Sequence, residues 1–127
     1  MTRGERLGRA TLVLDAAFSM VVGVGLLLMR RRISGLMGGR PAVVGAAGAA
    51  TIGWSGVVAV QMMRADWRHA TAQVAAANLA AMLVLMVAAS VHPRRRARFV
   101  LTGSAIDVAV FAVLQLISLI LRRPSAS

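Results

Sequence analysis

The sequence predicts an all-α polytopic membrane protein, an antiparallel bundle of four transmembrane helices forming a single domain over residues 1–127. Three observations carry that prediction. Four apolar segments, at residues 10–29, 42–63, 70–91 and 99–121, fill most of the chain. Each is about the ~20 residues that an α-helix needs to cross a ~30 Å hydrocarbon core at 1.5 Å per residue. Hydrophobic residues make up 58% of the chain and the mean hydropathy is +0.74, whereas soluble domains are about 45–50% apolar. Finally, all fifteen basic residues are arginine, and they fall in tails and loops. A water-soluble chain of this length could not cover four such segments.

The first segment follows a basic stretch, Arg3 to Arg9, as a signal peptide would. It is long, contains Asp15 and has no small-x-small cleavage pattern before Arg30, so it reads as a retained helix. In the loop after it, Ile33-Ser34-Gly35-Leu36-Met37 reads either as a short interfacial turn or as a plain loop. Gly38-Gly39-Arg40-Pro41 breaks the chain before the second span, and Pro41 suits a first-turn position. Trp67, between the second and third spans, fits an aromatic belt. His92-Pro93 ends the third span and Pro124 follows the fourth.

Small residues recur every fourth position in the middle spans, at Gly45, Ala49 and Gly53 and at Ala72, Ala76 and Ala80. Such spacing lets helix backbones approach closely in lipid. It leads to the expectation that the second and third spans pack against each other, or that they form a seam between copies.

The net charge of +11 invites a nucleic-acid reading, but no stacking aromatics accompany the arginines. Arg30, Arg31, Arg32, Arg94, Arg95, Arg96, Arg122 and Arg123 abut span ends, where they are expected to meet lipid headgroups, anionic ones included. With four spans both termini share a side. That side carries Arg3, Arg6, Arg9, Arg64, Arg68, Arg122 and Arg123, against Arg30, Arg31, Arg32, Arg40, Arg94, Arg95, Arg96 and Arg98 opposite. Seven against eight gives the positive-inside rule no purchase on orientation. The absence of cysteine excludes disulfides, thiolate metal sites and thiol redox chemistry. The lack of lysine beside abundant Ala, Val, Gly and Arg suits a GC-rich bacterial genome.

Polar groups inside spans are costly and point to function. At 100° per residue, Thr11, Asp15 and Ser19 share one stripe of the first span. Ser104, Asp107, Phe111, Gln115 and Ser118 share a sector of roughly 80° in the fourth. Thr51, Trp54, Val58 and Gln61 share a face of the second, and Thr71 and Asn78 one of the third. Four polar faces imply one interior, and a candidate polar cluster of Asp15, Ser19, Trp54, Ser55, Gln61, Asn78, Asp107 and Gln115. The antiparallel order sets the two aspartates about 10–15 Å apart in depth, too far for a carboxylate dyad. Asp15 reads either as a hydrogen-bonded structural group, for example with Asn78, or as a proton-coupling site. His69 and His92 sit at opposite span ends and cannot share a metal, and no histidine can reach a serine within the bundle. No catalytic, cofactor or metal residues are expected.

Leu14-Asp15-Ala16, Gly35-Leu36-Met37-Gly38, Ala76-Ala77-Asn78-Leu79, Ser90, and Gly103, Asp107 and Phe111-Ala112-Val113-Leu114-Gln115 follow a loose pattern. In it the chain resembles small actinobacterial four-helix integral membrane proteins, loosely DoxX-like and mostly uncharacterised. The resemblance implies an antiparallel four-helix bundle and brings no defined activity. The arginine triplets are heavier than that pattern. The chain is also similar to small multidrug resistance transporters in size, span number and balanced loop charge. Asp15 stands where their first helix carries an essential glutamate, while Trp54 alone answers to their aromatic pocket. The expectation is a non-enzymatic integral membrane protein of the bacterial cytoplasmic membrane, an accessory or scaffold component of an envelope complex. The alternative is a small proton-coupled exporter working through Asp15. Expected partners are membrane lipids and either a membrane protein or a second copy of the chain.

Overall fold

The computed structural model describes residues 1–121. It contains five helices: α1 (Arg3–Leu28), α2 (Arg30–Met37), α3 (Pro41–Met62), α4 (Trp67–Val91) and α5 (Arg95–Ile120). All but α2 are long and apolar enough to cross a membrane.

Local chemistry sets the ends. Thr2 caps α1 by accepting from the Glu5 N–H at 3.1 Å, and the Glu5 carboxylate takes the Arg9 Nε at 3.1 Å. This capped, ion-paired turn is why α1 starts seven residues before the apolar segment: hydropathy marks where the hydrocarbon begins, not where the backbone starts to coil. Pro41 opens α3 from its first turn. Asp66 caps α4 through the His69 N–H at 3.1 Å. The stretch after α1 forms a regular eight-residue helix, α2, closed by Gly38 at φ 77°. Gly38 and Gly39 both donate backbone N–H groups to the Ser34 carbonyl, at 2.8 and 3.1 Å. Glycine alone enters that left-handed cap without a Cβ penalty.

α1 packs tightly along α3, and α4 along α5. α1 also meets α5 and α4, while α3 and α5 do not touch among the described residues. The cross-section is therefore a diamond with α1 and α4 on the short diagonal. α3 and α4 meet sparsely, through the Gln61–Gln73 bond and the packing of Val58 with Ala70 and Val74, one to three turns from their connection.

This corrects the expected pairing of the two small-residue stripes. Ala49, Gly53, Ala72, Ala76 and Ala80 are exposed, and a Cβ added at Gly53 would meet nothing within 4 Å. The close approach runs between α1 and α3. A Cβ at Gly23 would lie 2.9 Å from the Gly48 carbonyl, and one at Gly48 would lie 2.8 Å from the Gly23 carbonyl. Backbone meets backbone there, which is how helices gain contact where lipid supplies no hydrophobic drive. A second pair, Gly4 and Gly8, lets α1 pass under Ser118 and the Trp67 ring.

The packing is inverted relative to a soluble domain. Buried positions include Thr11, Asp15, Ser19, Ser55, Thr71, Asn78, Gln115 and Ser118, and the apolar core is small, built on Leu12, Val58, Ala70 and Val74. Large apolar side chains face outward instead, among them Val21, Val84 and Ile120, whereas Leu26 is half-buried and lies against Gly48. An exterior of this kind is stable in acyl chains and not in water. The fold is that of a multi-pass membrane protein. The N-terminal end of α1 lies beside the C-terminal end of α5, so these two ends share one face of the membrane.

Candidate functional site

Asp15 is 3% exposed, near the middle of α1, and three helices supply donors to it. Asn78 Nδ2 of α4 donates to Oδ2 at 2.7 Å, and Gln115 Nε2 of α5 donates to the same oxygen at 3.1 Å. Ser19 Oγ, one turn along α1, donates to Oδ1 at 3.3 Å. Asn78 Nδ2 also donates to Gln115 Oε1 at 3.1 Å, closing a triangle of side chains. The geometry follows from the stripes: α1 presents Thr11, Asp15 and Ser19 inward, and α4 and α5 run antiparallel with Asn78 and Gln115 at one level. All three donors are neutral, so the cluster is a hydrogen-bonded junction and not an ion pair.

The other residues of the expected cluster lie apart from this triangle. Ser55 Oγ donates to the Ala16 carbonyl at 2.8 Å, tying α3 to α1. Trp54 is half-buried against the Leu12–Val58 core. Gln61 Nε2 donates to Gln73 Oε1 at 2.9 Å where α3 and α4 meet, and its own Oε1 is buried with no partner among the described residues. The fully buried Thr71 hydroxyl is likewise without a partner there.

Asp107 is exposed. It stands eight residues from Gln115 on α5, an axial offset of about 12 Å from the Asp15 level, and within about one turn of the middle of the 99–121 span. It has no hydrogen bond or ion pair among the described residues. Its neighbour one turn back, Gly103, has open space where a Cβ would stand. One helical turn on, Phe111 packs on Phe18 of α1 with ring centroids 5.4 Å apart.

Several arginines serve helix ends. No helix carries a basic residue in its own last turn. Cations come from elsewhere in the chain: Arg68 Nη2 donates to the Leu119 carbonyl of α5 at 2.6 Å, and Arg9 Nη1 to the Met62 carbonyl of α3 at 3.3 Å. Arg94 Nη1 donates to the Gly35 carbonyl of α2 at 2.8 Å, and Arg30 Nη1 to the Leu27 carbonyl of α1 at 2.9 Å. Each places positive charge at the negative end of a helix dipole. Sequence reading missed this use because it depends on which helix ends are neighbours. Arg68 also lies over the Trp67 ring, 5.3 Å from its centroid. Arg31, Arg32, Arg95 and Arg96 are exposed, and Arg122 and Arg123 lie outside the described residues.

Comparison with protein-family models, curated proteins and solved structures finds no match for this chain. The fold itself defines the class, a multi-pass bundle of four helices long and apolar enough to span a membrane.

Proposed function

We propose that the protein is a non-enzymatic component of the bacterial cytoplasmic membrane, an accessory or scaffold bundle that docks another membrane protein on the outer face of α5. One observation carries the reading: Asp107 stands exposed in mid-span with no partner among the described residues, whereas the carboxylate of Asp15 is met by donors from three helices. A carboxyl facing acyl chains costs about 2.5–3.5 kcal/mol near a helix centre. The arginines of the described chain are all at span ends, and a neighbouring helix that brings a donor or a cation to mid-depth would relieve that cost. Gly103 beside it leaves room for that helix to approach. The DoxX-like resemblance and the lysine-free composition support a bacterial setting.

The exporter reading is supported less well. Its carboxylate must be open to substrate, and both Asp15 oxygens are already engaged by donors of α1, α4 and α5.

The test is a photo-crosslinking residue at Gly103, with Asp107 native or changed to Leu, in cells expressing the full chain. A single adduct of defined mass with another protein is expected from native Asp107 and is lost on Asp107→Leu, although the variant inserts and folds as well as native. The same crosslinker at Val84 on α4 captures only lipid. Adducts that do not depend on Asp107, or lipid adducts alone at Gly103, would overturn the proposal.

A further inference from the structure

On the membrane face opposite the chain ends, α2 lies against the start of α5. The join is held by Arg94, whose Nη1 reaches the Gly35 carbonyl at 2.8 Å and the Leu36 carbonyl at 3.5 Å, and whose guanidinium packs on Gly38. Between the two helices runs a groove of about 390 Å³. Its lining is apolar, with Leu36 and Met37 from α2 and Ala97, Phe99 and Val100 from α5, and Arg95 and Arg96 also border it. Phe99 is 82% exposed, one turn into the span from those arginines, so the groove opens sideways toward the acyl region.

Charge decides what fits it. This face carries Arg30, Arg31, Arg32, Arg40, Arg94, Arg95, Arg96 and Arg98 and no Asp or Glu. Glu5 and Asp66 lie on the other face, and Asp15 and Asp107 lie within the spans. Arg95 and Arg96 have no hydrogen bond or ion pair to the described residues, unlike Arg94 and Arg30. Their counter-ions therefore come from outside the chain. An occupant that satisfies both parts of the groove is an amphiphile, with an anionic head at the arginines and an aliphatic tail on the apolar lining. A soluble anion would leave Phe99 and Leu36 uncovered, and a neutral lipid would leave the arginines unmatched.

We propose that the α2–α5 groove is a binding site for one anionic phospholipid. Its phosphate sits between Arg95 and Arg96, and an acyl chain lies along Leu36, Met37, Phe99 and Val100. The first turn of α5, which has no side-chain cap, adds backbone N–H groups at the same point. The proposal rests on the reading of the chain as a membrane-embedded bundle but not on a docked partner at Asp107.

The experiment is native mass spectrometry of the full chain in mild detergent, titrated with phosphatidylglycerol or phosphatidylcholine of the same chain length. Phosphatidylglycerol is expected to remain as a one-to-one adduct, and phosphatidylcholine to be lost. Arg95→Gln with Arg96→Gln should weaken retention about thirty-fold, the combined effect of two surface arginines, and each single change about five-fold. Both side chains are exposed and unpaired, so helicity and elution volume should not change. Arg31→Gln with Arg32→Gln removes equal charge from the same face, away from the groove, and should leave the adduct in place. Phe99→Ser should weaken it with no change in charge. Glycerol phosphate should not compete, which separates a lipid site from a phosphate site. Equal loss from the two arginine pairs, equal retention of phosphatidylcholine, or displacement by glycerol phosphate would each overturn the proposal. Asp107→Leu should not affect the adduct, so failure of the docking proposal and failure of the lipid site are separately visible.

Discussion

The junction at Asp15 separates a structural carboxylate from a working one by a single pair of substitutions. In Asp15→Asn, the amide oxygen can occupy the Oδ2 position and go on accepting from Asn78 and Gln115, now at 2.7 and 3.1 Å. The new NH₂ then faces Ser19, whose hydroxyl can rotate from donating to accepting. All three contacts survive, and the expected cost is less than about 1 kcal/mol. Asp15→Leu removes all three and strands the Gln115 Nε2 donor, while Asn78 keeps only its bond to Gln115 Oε1. At about 0.6 kcal/mol for an average intramembrane hydrogen bond, the expected loss is about 2 kcal/mol. This corresponds to about a thirty-fold change in the unfolding equilibrium. Reversible unfolding of the purified protein in mixed detergent micelles, followed by helicity, reads both changes on one scale. Equal, large destabilisation by Asn and Leu would refute the reasoning, because it would mean that the charge itself is needed. Loss of gradient-driven cation flux in Asp15→Asn proteoliposomes, with the fold intact, would point to the exporter instead.

Two further outcomes follow from packing and topology. Gly48→Ala should separate α1 from α3 and cost about 1–3 kcal/mol, as overpacking does, while Gly53→Ala, where the added Cβ meets nothing within 4 Å, should be close to neutral; the same unfolding assay compares them. Cysteines introduced at Gly39 and Ala65, both exposed in connections, should label from opposite faces of sealed vesicles, and labelling of both from one face only in every molecule would exclude four spans.

The spans and their breaks were legible because they depend on local properties. Twenty apolar residues mark a crossing, Pro41 and His92-Pro93 mark ends, and the inward stripe of α1 follows from 100° per residue. Asn78 and Gln115 could be set near Asp15 because antiparallel order fixes depth as well as angle. α2 was only half legible. Its apolar residues are few, and its ending depends on Gly38 entering a left-handed conformation that hydropathy does not register. The helix pairing was not legible at all. A stripe of alanines is as compatible with lipid as with another helix, whereas the seam that forms needs Gly23 and Gly48 to arrive at the same depth on different helices.

Asp107 shows the same limit in sharper form. It lies about 80° from Gln115 around α5, close enough that a helical wheel assigns both to one polar face. How much of that face is covered depends on how many neighbours the helix has. α5 stands at an acute corner of the diamond, touching α4, α1 and the end of α2 but not α3. Its buried residues, Ala97, Ala105, Ala112, Gln115 and Ser118, spread over about 140° at 100° per residue, and Asp107 falls about 20° beyond the Ser118 edge of that arc. α1, on the short diagonal, covers Thr11, Leu12, Asp15 and Ser19 together. The same residue type at a similar place in the pattern is thus buried on one helix and exposed on the other. What separates them is the packing order of the bundle, and it leaves α5 with the one aspartate of the spans that the described chain does not itself satisfy.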